Sequence, residues 1–134
     1  MKNNLYIVWN ESNNTEVSIL DEQHRAIVSM INTLHYSINN QEESEIVESI
    51  FITLEQYIKF HFHTEEEIME KLNYPDLKEH TAQHEQLAAD TRKVFLEVEI
   101  DNDPEVLLQF LKNWWLKHIC IEDRKYSGHM KRQK

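Results

Sequence analysis

Glycine is almost missing from this 134-residue chain: Gly128 is alone, and the only prolines are Pro75 and Pro104. A chain with so few breakers suits long helices joined by short turns and is poorly suited to an all-β fold. Cysteine is just as scarce. Cys120 stands alone, so no internal disulfide can form, and it has no neighbour that would favour the thiolate; it reads as packing. No apolar run reaches the length needed to cross a membrane, and Met1–Asn10 has no leader-like core. A soluble, reducing, cytoplasmic setting is the expectation. Basic residues are outnumbered, 14 against 24 acidic, for a formal charge of −10. Such a surface repels nucleic acid and anionic membrane, so neither is expected as a partner. The basic residues Arg124, Lys125, Lys131, Arg132 and Lys134 gather near the end of the sequence and read as a helix-end charge preference plus a tail.

Four segments carry apolar residues at helical spacing. The first is predicted from about Ser18 to Ile38, with Leu20, Ile27, Val28, Ile31 and Leu34 on one face. The second is predicted from about Gln41 to Leu72, with Asn40 and Glu43 as a capping box. Pro75 suits the first turn of a third helix that runs to about Val98. Asp103 and Pro104 open a fourth that runs to about Tyr126. Short connections make neighbours antiparallel, so the expected fold is all-α, an up-down-up-down four-helix bundle in a single domain of residues 1–134. Residues 1–17 form an N-terminal arm in this reading, tacked down by Trp9; residues 18–126 form the bundle and 127–134 a tail.

Eight histidines are present, and the bundle topology gives them a height. His24 and His61 lie at comparable distances from the first turn. Glu65, His80 and His84 flank the second, and His84 and His118 are equally far from the third. With ~1.5 Å of rise per residue, the mismatches amount to about two helical turns or less. All four helices thus bring a histidine to one layer. His24 and His61 follow their helices' apolar stripes, Glu65 comes one turn after His61, His80 and His84 are spaced i, i+4, and His118 follows Leu111, Trp114 and Trp115. Asp123, five residues beyond His118, is rotated by about 140°, an awkward angle that spacing alone would not select. His63 should face solvent, about 200° round from His61. His35 should be a buried, hydrogen-bonded histidine, and Glu66, Glu67 and Glu70 a solvated face.

Any one inward histidine is most simply a hydrogen-bonded core residue. Five of them with two carboxylates would each lose hydration, and a metal cluster satisfies all of them at once. A hydrogen-bonded polar layer is the alternative. Imidazole and carboxylate without thiolate suit iron, manganese or zinc. Seven ligands exceed what one ion takes and fit two, with carboxylates as bridges and one coordination position left open for a small molecule.

These residues resemble the hemerythrins, in particular the single-domain bacterial ones. The matching segments are Asp21-Glu22-Gln23-His24, His61-Phe62-His63-Thr64-Glu65-Glu66, Tyr74-Pro75 with His80 and His84, and Trp114 through His118-Ile119 to Asp123 and Tyr126. The resemblance implies two iron ions with an oxo or hydroxo bridge. It implies that His80, His84 and His118 hold one iron, that His24 and His61 hold the other, and that Glu65 and Asp123 bridge them. It further implies that dioxygen binds reversibly, as hydroperoxide, at the five-coordinate iron, in a carrier, storage or delivery protein rather than an enzyme. Phe62, Trp114, Trp115, Ile119 and Ile27 are then the candidate walls of the oxygen pocket. The family usually has Trp-Leu where Trp114 and Trp115 stand, so the second tryptophan narrows the expected pocket.

Two other classes fit less well. A ferritin-like di-iron oxidase would use Glu-x-x-His pairs, and no histidine here has Glu three residues before it. A zinc hydrolase would need the Glu that His80-Thr81-Ala82-Gln83-His84 lacks. An oxygen or iron sensor would need a separate partner, as delivery would need an oxygen-using enzyme.

Overall fold

The computed structural model describes residues 6–7, 17–101, 103–114 and 117–118. Four helices account for most of them: α1 (Ser18–Asn39), α2 (Ser44–Lys71), α3 (Leu77–Asp101) and α4 (Pro104–Trp114). Lys117 and His118 follow in a wider, π-type turn. Contacts join α1 to α2, α2 to α3, α3 to α4 and α4 back to α1, which closes the expected up-down-up-down bundle.

With glycine nearly absent, the turns use other residues for the left-handed backbone that ends a helix. At the end of α1, Gln41 has φ 55°. Its N–H donates to Ile38 O and that of Glu42 to Ser37 O, a Schellman arrangement. Asn73 does the same after α2, at φ 53°, with its N–H on Glu70 O and that of Tyr74 on Met69 O. Asn tolerates this conformation well; Gln carries the larger Cβ penalty.

The capping box predicted for α2 does not form. The helix begins at Ser44, not Gln41, and Glu43 is its N-cap without a side-chain bond. The reason is competition: the Asn40 amide donates to Tyr36 O and serves the end of α1 instead. The third helix likewise starts at Leu77, two residues after Pro75, and continues past Val98 to Asp101. Pro104 opens α4 as expected. The predicted run of α4 to Tyr126 lies outside the described residues beyond His118.

Two apolar clusters fill the interior. The larger includes Ile27, Ile31, Leu34, Phe51, Leu54, Phe62, Phe95, Leu107, Leu108, Leu111 and Trp114. Phe51 and Phe95 stack at 4.0 Å between centroids. The Arg92 guanidinium lies over both rings and pairs with Glu55, which locks α2 against α3. The smaller cluster, Leu20 and Met69 with Leu72 and Leu77 packed against them, closes the opposite end. Leu20 lies one turn before His24 and Met69 one turn after Glu65, so the two clusters sandwich the histidine layer.

The arm is anchored by Tyr6 and Ile7. The Ile7 N–H donates to Asn32 Oδ1 at 2.8 Å, and Asn32 Nδ2 donates back to Ile7 O at 2.7 Å. Tyr6 stacks on His35, which is half-buried and contacts Asn39 rather than being fully enclosed. Trp9, the expected anchor, lies outside the described residues.

Candidate metal centre

The helices deliver six of the seven predicted ligand residues to one buried layer. His24, from α1, and His61, Glu65, His80, His84 and His118 are all 5 % exposed or less. Asp123, the seventh, lies outside the described residues.

Glu65 stands at the centre, and its two oxygens divide the histidines between them. Oε2 is 3.0 Å from His61 Nε2 and 3.7 Å from His24 Nε2. Oε1 is 3.0 Å from His84 Nε2 and 3.3 Å from His80 Nε2. On one side, His24 Nε2 and His61 Nε2 approach to 3.1 Å; on the other, His84 Nε2 and His118 Nε2 do the same. Two groups result, each with ligand atoms within 4.8 Å of one another: His24, His61 and Glu65, and Glu65, His80, His84 and His118. Nitrogens crowded tip to tip around one carboxylate suit a pair of cations that share it. The same contacts lie at hydrogen-bond distance, so the hydrogen-bonded polar layer is the other arrangement they allow. The donor set contains no thiolate among the described residues and fits iron, manganese or zinc.

The proton inventory favours the same reading. Burial is the largest influence on Glu65 and raises its pKa. The imidazoles of His61, His24 and His80 together outweigh it, and the carboxyl sits well below its usual range. For His118, burial dominates and lowers the pKa to about 3; the Glu65 charge opposes this, and His84, His80 and His61 add to it. At neutral pH the layer therefore holds a carboxylate and, at His118, a neutral imidazole, the forms that bind metals.

Outer contacts fix which nitrogen faces inward. The Thr64 hydroxyl donates to Phe60 O, so it accepts from Gln23 Nε2. That turns Gln23 Oε1 toward His61, whose Nδ1–H donates to it at 2.8 Å. The lone pair of His61 is left on Nε2, inside the layer. On α2, Glu66 Oε2 accepts from His84 Nδ1 at 3.1 Å, with the same effect on His84. Sequence reasoning missed both residues. Glu66, expected on a solvated face, has a side chain only 28 % exposed. Each is adjacent in sequence to a ligand, which is the one signal that could have found it.

The pocket candidates divide. Phe62 stacks on His84 at 3.8 Å and 7°, and Trp114 lies parallel to His118 at 6.2 Å. Ile27 is fully buried in the larger apolar cluster that borders the layer. Trp115 and Ile119 lie outside the described residues. A cavity of about 300 Å³ between α3 and α4 reaches His118 and Trp114, with Gln83, Leu87 and Lys117 also in its wall. His63 is exposed and 3.6 Å from Glu67, away from the layer as expected.

Known proteins agree with this geometry. The sequence profile of the hemerythrin HHE cation-binding domain matches residues 15–129. The chain belongs to the hemerythrin family. A bacteriohemerythrin of Methylococcus capsulatus is 33 % identical over 84 % of this chain and 87 % of its own length. Another, from Stenotrophomonas maltophilia, is 29 % identical over 93 % of this chain and 82 % of its own. Among solved structures, a hemerythrin carrying one leucine-to-alanine substitution superposes with a TM-score of 0.80 at 29 % identity, covering 93 % of this chain and 97 % of that one. The hemerythrin match and the buried histidine–glutamate layer both point to a metal-binding bundle. Among the described residues, no helix is long and apolar enough to cross a membrane.

Proposed function

We propose that this hemerythrin-family chain holds two iron ions between its helices and binds dioxygen reversibly, as a cytoplasmic carrier, store or delivery protein rather than an enzyme. The observation that carries the proposal is Glu65, whose two oxygens each face a separate group of histidines. His24 and His61 would hold one ion, and His80, His84 and His118 the other. Glu65 would bridge them, together with Asp123 and an oxo or hydroxo group. With two histidines against three, the His24–His61 side would offer one ligand fewer and so room for a small molecule.

Iron, when bound by these residues, would supply the redox chemistry that reversible dioxygen binding needs. The protein's part is to orient and to exclude. Gln23 holds the His61 lone pair inward and Glu66 does so for His84. The two apolar clusters close the layer above and below, which keeps water from displacing a bound ligand. Phe62 packed flat on His84 leaves that side no room for solvent. Imidazoles outnumber carboxylates, a neutral donor set that favours the ferrous state a carrier must regain.

The test is metal analysis with an optical spectrum, taken without oxygen and then in air. Two irons per chain are expected, colourless when ferrous, coloured in air, and bleached again when oxygen is withdrawn. One zinc per chain would overturn the proposal, as would sustained oxidation of an added substrate.

A further inference from the structure

Among the described residues, negative charge concentrates at one end: ten acids and no base lie there, against ten acids and eight bases in the rest. Residues 26–58 and 94–111 contain ten of the chain's 24 acidic residues and none of its 14 basic ones. These stretches are the end of α1 with the start of α2, and the end of α3 with the start of α4. Together they form the half of the bundle farthest from the histidine layer. Among the described residues, Glu55 is the one of the ten that pairs with a cation, Arg92.

The same half carries exposed apolar side chains. Tyr36, Ile46, Leu96, Ile100 and Val106 are all exposed there, Ile100 at 84 %. This half also holds a groove of about 420 Å³. Its floor is apolar: Ile38, Val47, Phe95, Val98 and Leu107. Its rim is acidic: Glu42, Glu48 and Glu99, all exposed. An apolar groove ringed by carboxylates of one sign marks an interaction surface, because solubility alone needs no such groove.

We propose that this end is a docking surface for a basic segment of a partner protein, one that sets a bulky apolar side chain into the groove and lysines or arginines against the glutamates. A second copy bringing the same face would oppose like charges. Nucleic acid and anionic lipid would be repelled. A polycation without apolar groups would leave the floor uncovered. The proposal is independent of what the histidine layer binds.

The experiment uses the full-length, iron-loaded chain and a short fluorescent peptide that alternates arginine with leucine around a central phenylalanine. Fluorescence anisotropy reads binding. The peptide should bind, and more weakly as salt shortens the Debye length. The triple variant E42Q, E48Q, E99Q should lose about tenfold or more in affinity, given roughly half to one kcal/mol per rim charge. A control triple on the histidine half, E67Q, E70Q, E79Q, should change it by less than about twofold. Unchanged melting temperatures and iron spectra keep the comparison fair. The proposal is overturned if the peptide does not bind, or if the rim variant binds as well as the parent. It is equally overturned if a glycine-for-leucine-and-phenylalanine peptide or spermine binds as tightly, since charge alone would then suffice.

Discussion

The two halves of this bundle bury different things. The half that holds the histidines encloses His24, His61, Glu65, His80, His84 and His118, polar groups that satisfy one another only in a crowded, converging arrangement. The other half encloses Phe51, Leu54, Leu107 and Leu108, which ask for nothing beyond close packing. One half is therefore built for binding and the other for holding the helices in register. In the second, folding free energy comes from area removed from water; in the first, much of it waits on the cations.

Substitutions should separate these roles. Glu65→Ala removes the group common to both clusters and is expected to abolish stoichiometric iron binding while leaving a helical bundle, measured by metal analysis and circular dichroism. Leu54→Ala should do the reverse. It should cost about 2–5 kcal/mol in urea unfolding and retain two irons per chain below the transition. If Leu54→Ala lost iron at temperatures where it stays folded, the division of labour would be wrong.

Smaller changes sharpen the contrast inside the histidine half. Gln23→Leu frees His61 to turn its protonated nitrogen inward, and iron affinity should fall by about 10–100-fold with little change in helix content. An unchanged affinity, read by competition with a chelator, would reduce Gln23 to a packing residue.

Acid should likewise act mainly on this half. In iron-stripped protein, His118 has its pKa lowered to about 3, below its ordinary 6.5. Between those values the unfolded chain takes up a proton that the folded chain refuses, so stability falls as pH drops below about 6.5. Glu65, held below its ordinary value of 4.5, adds its loss as pH falls further. Urea midpoints taken from neutral to acidic pH should decline throughout, and His118→Leu should flatten the upper part of that decline.

The smallest expected effect is at the turn after α1. Gln41→Gly relieves the left-handed backbone at φ 55° and should stabilise the protein by about 0.5–1 kcal/mol without touching iron.

Helix number, topology and the height of the histidines were legible in the sequence, because periodicity and turn residues report them directly. His61 and Glu65, or His80 and His84, share a helix face by spacing alone. Asp123 did not follow from spacing, and only its place in the hemerythrin pattern selected it. Boundaries slipped where one side chain had two uses, as when Asn40 served the end of α1 and left α2 to begin at Ser44. Gln23 and Glu66 stayed hidden because an amide or a carboxylate beside a ligand looks the same whether it meets solvent or an imidazole. The two base-free acidic stretches were present in the sequence throughout, but a total of −10 says nothing of where it lies until the turns show which stretches share an end.

Among the described residues the acidic half carries ten acids and no base, and the histidine half ten acids and eight bases, so the negative field is strongest at the end away from the histidines. On a positively charged matrix or electrode the molecule should stand upright, acidic end down, with the histidine layer held away from the surface by half the bundle. Adsorbed in this way, it would present every copy in one orientation.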